Sequence, residues 1–362
     1  MSSECYPIAT LPHVTKLYRD YLAMGESATD APLRRWYGAE PLGKAWMRVA
    51  DASGHAAALA DALERQSREF GGGEAALENI AKIRAGARAV VTGQQVGLFG
   101  GPLYVLLKAA TAIARAKQAT AATGVEHVPV FWLATEDHDL EEVDQVSLLT
   151  NTEVETLRLG LRSHDAPVGG VALGKAVDAL LERASELLGY APVCDLLHQC
   201  YRPEGTFGGA FARLMARLFA DEGLVVMDAA GRDFHALGAR ALRAAIEDAE
   251  GFEAALMARS KELEAAGYHA QVLVKAGSSL LFLIGEDGTR QALRRGADGI
   301  WKAGAKGYST AELLRILEEK PERLSPNALL RPVFQDTILP VTAYVGGPAE
   351  VAYFAQGAVL YE

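Results

Sequence analysis

Apolar residues recur at helical spacing through the first ~85 positions: Leu42, Ala45, Trp46 and Val49, then Leu59 and Leu63, then Ile80 and Ile83. The spacing predicts helices, with a joint at Gly71-Gly72-Gly73. At Arg88 the pattern changes. Arg88-Ala-Val-Val-Thr92 reads as a short buried strand, positions 93–101 as a glycine-rich turn, and Pro102 to about Ala119 as a helix with proline in its first turn, where no helical amide is lost. A second strand over 127–134 carries the continuous apolar run (Val128, Val130, Phe131, Trp132, Leu133) of a strand buried on both faces of a parallel sheet. It stops abruptly at Thr135-Glu-Asp-His-Asp139. Open α/β sheets bind ligands outside the carboxyl ends of their strands, so chemistry is expected at this edge.

The alternation repeats further on. A helix starts near Thr206, Gly223-Leu-Val-Val-Met-Asp228 reads as a strand, and a helix from about Arg232 to Glu250 follows. From Ser325 the core pattern returns, with Thr342-Ala-Tyr-Val345 as a strand and Gly346-Gly347 as a turn. Pro348 then opens a helix whose apolar face (Val351, Phe354, Ala355) runs to Glu362 with no closing turn, so the chain looks cut short. The order strand, Gly-Gly-Pro, helix is thus used twice, at 100–102 and 346–348. Between these units, 151–204 reads as short strands plus two helices. The stretch 251–324 reads as a charged helix, a hairpin over Ser279–Ile284 turning at Gly285-Glu-Asp-Gly288, and a Gly-rich linker at Gly304–Gly307. The fold class that results is α/β with a parallel-sheet core. N-terminal helices and the first part of the core occupy 1–150, an insertion 151–204, more core 205–250, a second insertion 251–324 and core again 325–362.

Composition narrows the functions. The chain has 362 residues, too many for one simple core, and its 50% hydrophobic and 23% charged residues are the balance of a globular protein. A net charge of −10 without any basic run argues against nucleic-acid binding. Apolar runs such as 128–134 are too short to span a bilayer, and the N-terminus has no signal-peptide pattern. Cys5, Cys194 and Cys200 form no Cys-x-x-Cys pair, which fits a reducing cytoplasm and inert thiols.

Three constellations carry candidate chemistry. Gly93, Gly97, Gly100 and Gly101 lie between a strand and a helix, where backbone amides can approach a ligand and the helix dipole favours an anion. The segment is neither G-x-G-x-x-G nor a P-loop, and a turn demanded by tight packing is the competing reading. Gln94 and Gln95 have nothing local to bond, whereas a ligand carboxylate or hydroxyl would use them. Tyr104, Lys108, Thr111 and Arg115 fall on the polar side of the next helix, which is ordinary for an amphipathic helix. Glu136, Asp137, His138 and Asp139 are the sharper signal, because three acids and an imidazole at a strand end repel one another unless a positive group or a shared proton network is present. Such a cluster relays a proton, holds an ammonium group or binds a metal, although its single histidine gives no metal-ligand spacing. The third constellation joins Ser325-Pro-Asn327, Arg331, Gln335, Asp336, Tyr344, Gly346, Gly347, Glu350 and Tyr353. Glu350 stands near N3, where a carboxylate caps a helix, while Gln335 and Asp336 have no such local role. His164, Arg290, Arg294 and Arg295 sit on insertions and are expected to be solvated.

On these residues the chain resembles the bacillithiol-biosynthesis cysteine ligases, the BshC family. The resemblance rests on Thr92-Gly-Gln-Gln-Val-Gly-Leu-Phe-Gly-Gly-Pro-Leu-Tyr104, on Pro129-Val-Phe-Trp-Leu-Ala-Thr-Glu-Asp-His-Asp139, and on Ser325-Pro-Asn327 with Arg331-Pro-Val-Phe-Gln-Asp-Thr-Ile-Leu-Pro-Val-Thr-Ala-Tyr-Val-Gly-Gly-Pro-Ala-Glu350. Weaker similarity, as at 223–228, extends it over the chain. It implies a Rossmann-like core related to nucleotidyltransferases that carry a HIGH motif, with two connecting insertions and the turn at 97–104 in the HIGH position. The implied reaction adds L-cysteine to glucosaminyl-malate, forming the amide that completes bacillithiol. Amide formation from a free carboxylate needs activation, so ATP is the expected co-substrate and no metal is expected. Under this reading Gly100 and Gly101 would hold phosphate or carboxylate, and Glu136, Asp137, His138 and Asp139 would serve the amino groups and proton transfer. Gln94, Gln95, Gly97, Tyr104, Gln335, Asp336, Tyr344, Gly346, Gly347 and Glu350 would complete the substrate site. Family members continue past the Gly-Gly-Pro-Ala-Glu helix into a coiled coil implicated in dimerisation and nucleotide binding, which a sequence ending at Glu362 would lack. The rival readings are another HIGH-type nucleotidyl transfer or amide ligation, a non-catalytic binding protein, and a metal-dependent hydrolase built on residues 136–139.

Overall fold

The computed structural model describes residues 6–10, 12, 14–24, 31–38, 47, 54–150, 153–162 and 165–361. Leu42, Ala45, Trp46, Val49, Cys5 and His164 lie outside the described residues. In chain order the strands are β1 (Arg88–Gln94), β2 (His127–Leu133), β3 (Gln145–Leu149), β4 (Val154–Arg158) and β5 (Val225–Asp228). They continue with β6 (Ser278–Ile284), β7 (Arg290–Arg295), β8 (Trp301–Ala303), β9 (Lys306–Tyr308), β10 (Leu324–Pro326) and β11 (Val341–Val345).

One parallel sheet runs in the order β11-β1-β2-β5. The apolar runs explain it: β2 is buried along its whole length, and β1 everywhere but at its ends. Alternate residues feed opposite layers. Val91, Val130, Trp132 and Met227 join the core containing Leu59, Leu63 and Phe334, while Phe131, Leu133 and Val226 join the one containing Phe211 and Met215. The helix Tyr104–Thr123 lies against β1 through the small residues Ala112 and Ala116, which pack on Val90. From β1 the chain passes to β2 on one side, and β11 later pairs on the other, so strand order reverses at the β1–β11 seam. That seam's carboxyl end is the topological switch point of an open α/β sheet.

A second, antiparallel sheet has the order β10-β6-β7-β8-β9, and β3 and β4 form a separate hairpin. Several expectations need correction here. Leu324–Pro326 does not rejoin the parallel core; it pairs with β6 and closes the antiparallel sheet. Gly304–Gly307 is no linker, because Lys306 pairs with Ala303 across a tight turn between β8 and β9. The single helix read over 232–250 is broken into Arg232–Leu237, Ala239–Glu247 and Ala249–Ala265. The first break falls at Gly238, where a Cβ would stand 2.2 Å from the Phe334 ring, itself packed edge-on against Trp132. The final helix does close: Pro348–Gly357 is followed by a 3-10 turn over Ala358–Tyr361 that buries Leu360. Among the described residues no helix is long and apolar enough to cross a membrane.

Phe131 is fully buried at the centre of this arrangement, with its ring centroid 6.0 Å from that of Phe211. Phe131→Ala is expected to lower unfolding free energy by about 3–5 kcal/mol, the usual loss for truncating a buried aromatic ring, and urea denaturation measures it.

Candidate active site

The carboxyl ends of β1, β2 and β11 open into a cleft of about 680 Å³. Gly93 forms part of its floor; a Cβ there would lie 2.8 Å from the Trp132 carbonyl oxygen and 3.1 Å from the Tyr344 hydroxyl, so only glycine keeps the floor open. Gln94, Gln95, Tyr104, Tyr344, Gly346, Gly347 and Glu350 all line the cleft. Two cations also line it: Lys108, which the sequence offers as a candidate on the polar side of its helix, and Arg331, a member of the third constellation to which the sequence assigns no role.

Lys108 is buried and donates to the Gly93 carbonyl at 2.6 Å, to Gln94 Oε1 at 3.2 Å and to Glu350 Oε2 at 2.5 Å. Burial pushes its pKa down, although Glu350 opposes the shift. Glu350 also accepts from the Gly347 amide at 2.6 Å, so it caps its helix as expected, and from the Tyr344 hydroxyl at 2.6 Å. The signal for Lys108 was weak because its carboxylate partner lies 242 residues away. Gln94 donates to the Tyr104 hydroxyl at 3.1 Å, whereas Gln95 donates to Asp137 Oδ2 at 2.6 Å and Glu142 Oε2 at 3.0 Å. The two neighbouring amides therefore serve different sides of the cleft.

Residues 136–139 do not act as one cluster. Glu136 points to the fully buried His235, whose Nε2 stands 3.0 Å from Glu136 Oε1 and whose Nδ1 stands 3.1 Å from the Pro321 carbonyl. Both ring nitrogens thus face acceptors. Burial alone would lower the His235 pKa, but Glu136 outweighs it and the net shift is upward. Asp137 accepts from Gln95 and from the His138 amide at 2.7 Å. Asp139 caps the short helix Leu140–Val143, accepting from the Glu142 amide at 3.2 Å. His138 keeps 40% of its side chain exposed, and Arg290 Nη1 lies 3.3 Å from its Nδ1. A guanidinium only donates, so in the tautomer that makes this contact Nδ1 accepts and Nε2 carries the ring proton; Asp137 Oδ1 stands 3.7 Å from the same Nδ1. Arg290 itself is no solvated residue: it is buried, donates to Ser325 Oγ at 3.0 Å and to the Pro326 carbonyl at 3.2 Å, and covers the Phe282 ring. Burial pushes its pKa down, against the pull of Glu136 and Asp137. The positive group beside the acidic sequence is thus Arg290, and His235 is the imidazole that faces Glu136.

Other candidates lie elsewhere. Gln335 is buried and accepts from Arg331 Nη1 at 2.9 Å, and Asp336 accepts from the Tyr361 hydroxyl at 2.9 Å; both border a separate cavity of about 520 Å³. Gly97, Gly100 and Gly101 are not among the residues lining the cleft. The Gly100 amide bonds the Gly97 carbonyl and the Gly101 amide the Leu98 carbonyl, while a Cβ on Gly97 would meet the Gly101 Cα at 2.8 Å. With the Gly347 amide held by Glu350, neither Gly-Gly-Pro turn offers these amides as a phosphate cradle, and the ATP expectation finds no fit in them. Cys194 and Cys200 are buried free thiols, and burial pushes Cys200 up.

Two outcomes follow from these contacts. Gly97→Ala is expected to destabilise the fold by about 1–3 kcal/mol, as overpacking does, because backbone meets backbone there; a thermal melt matching the wild type would contradict the close approach. Removing His235 strands Glu136 in a buried site, so His235→Ala should lose about 3–5 kcal/mol. The raised His235 pKa means that its contribution is complete below the unfolded value of about 6.5 and is lost as pH rises through the higher folded value. Urea melts across that window should show stability falling with pH in the wild type and a flatter slope in the variant.

Comparison with known proteins identifies the family. Residues 1–362 match the family model described as "Bacillithiol biosynthesis BshC, N-terminal Rossmann-like domain". A protein of Koribacter versatilis named "Putative cysteine ligase BshC" is 44% identical over 369 residues, covering all of this chain and 68% of that protein. Proteins of the same name from Solibacter usitatus and Salinibacter ruber are 39% and 36% identical, covering 100% and 98% of this chain and 67% and 66% of their own lengths. The chain therefore spans about two thirds of these relatives. With its parallel sheet, its switch-point cleft and a match along its full length, the chain belongs to the BshC family as the Rossmann-like domain.

Proposed function

We propose that this domain joins L-cysteine to glucosaminyl-malate through an amide bond, the last step of bacillithiol synthesis. The observation that carries the reading is the strand-end group beside the cleft, where Gln95 gathers Asp137 and Glu142 and Arg290 fixes His138. An amine must lose a proton before or as it attacks a carboxyl carbon. Asp137 is the group suited to hold the ammonium and take that proton, because the His138 Nδ1 that could have accepted it is covered by Arg290. His138 instead presents Nε2–H, a donor for the oxygen that gains negative charge as the carbonyl carbon becomes tetrahedral. ATP would activate the cysteine carboxylate, whose oxygen then leaves with the transferred phosphoryl or adenylyl group as the carbon–nitrogen bond forms.

Asp137→Asn and His138→Ala are each expected to lower cysteine addition at least ~100-fold with little change in melting temperature. Mass spectrometry of small thiols in cells carrying the wild-type or variant gene reads the outcome. Near-normal bacillithiol in both variants would remove the cluster from the chemistry, and its persistence after loss of the gene would remove the reaction from this protein.

A further inference from the structure

Arg331 opens the helix Arg331–Ile338 and lines the cleft, and among the described residues it is held in no ion pair. Its Nη1 donates to Gln335 Oε1 and its Nη2 to the Tyr353 hydroxyl at 2.8 Å, both uncharged acceptors. The guanidinium carbon lies 5.0 Å from the Tyr344 ring centroid, 5.9 Å from Tyr353 and 6.0 Å from Phe354. Among the described residues no carboxylate stands within ion-pair distance of Arg331. The carboxylate that shares its part of the cleft, Glu350, is bound by Lys108, the Tyr344 hydroxyl and the Gly347 amide. On this side of the cleft Lys108, Arg331 and Glu350 together leave one positive charge over, while the other lining carboxylate, Glu142, sits beside Gln95. A guanidinium has five N–H donors, of which these side chains use two.

We propose that Arg331 is the anion-binding residue of the cleft, and that the group it takes is a carboxylate of the substrate. A carboxylate matches the planar fork of a guanidinium with two parallel hydrogen bonds, and the aromatic rings that hold the fork flat reduce the freedom lost on binding. A phosphate group is the poorer fit, because the neighbouring Gly347 amide is filled by Glu350 and Lys108 is already paired. Gln335, which sequence reasoning placed on the substrate, holds Arg331 instead, and acts through it as a positioning residue. The proposal rests on the cysteine-ligase reading for the choice of malate as the carboxylate-bearing part.

Calorimetric titration of the full chain with L-malate, with its neutral diamide and with inorganic phosphate tests this. Malate is expected to bind, the diamide and phosphate at least ~10-fold more weakly, and malate affinity to fall at least ~10-fold in both Arg331→Gln and Arg331→Lys; one lost charge-assisted bond of about 1.5–3 kcal/mol corresponds to that scale. Arg331→Lys keeps the charge and loses the fork, so it serves if the glutamine variant does not fold. Equal malate affinity in the wild type and a folded Arg331 variant, no malate binding by the wild type, or tighter binding of phosphate or the diamide than of malate overturns the proposal. A chain that binds malate through Arg331 while its gene has no effect on cellular bacillithiol keeps the anion site and loses the ligase reading.

Discussion

A lysine ammonium taken out of water must find new acceptors for its protons, and the cleft is organised around the way Lys108 does so. Its three acceptors come from the carboxyl end of β1 and from the helix that follows β11, so one side chain clamps β1 to the helix across the switch point. Breaking a buried pair of this kind costs about 3–5 kcal/mol, far more than an exposed ion pair. Because Lys108 fixes Glu350, and Glu350 fixes both Tyr344 and the Gly347 amide, the shape of the cleft wall descends from this one burial.

The second insertion plays a comparable part on the acidic side. The Arg290 amide donates to the Asp165 carbonyl at 2.8 Å, while its guanidinium reaches Ser325, Pro326 and His138. One residue of β7 therefore touches the loop after β4, the end of the antiparallel sheet and the strand-end loop of the core. Contacts from both insertions thus brace the strand-end loop of the core.

The parallel strands were legible because burial on both faces leaves an unbroken apolar run, as in Val128 to Leu133, and because each ends at residues that cannot continue it. The helix break at Gly238 was not legible, since its cause is the Phe334 ring arriving from a distant segment. The same distinction divides the candidate site. Gln94, Gln95 and the acidic tetrad stand out locally as polar groups without local partners. Lys108, Arg290 and His235 look like ordinary residues of amphipathic elements until the fold closes around them, with partners 242, 152 and 86 residues away. Gly97, Gly100 and Gly101 have a reason of the opposite kind: close backbone packing, and φ angles of +97° and +69° at the last two, call for glycine with or without a ligand.

The strand order also sets a schedule for biosynthesis. Thr92 on β1 hydrogen-bonds the Val345 carbonyl across 253 residues, and β11 leaves the ribosome after the other three strands of this sheet. At elongation rates of ~5–20 residues per second, β1 spends some ten seconds or more with one edge unpaired while β2, β5 and both insertions are made. An open apolar strand edge is a template for unwanted pairing, so the nascent chain is most vulnerable to aggregation in this interval. The Lys108–Glu350 clamp is equally late. The acidic side of the cleft can be assembled well before its cationic side, and the complete cleft comes into being only as β11 and the following helix lock the earlier elements in place.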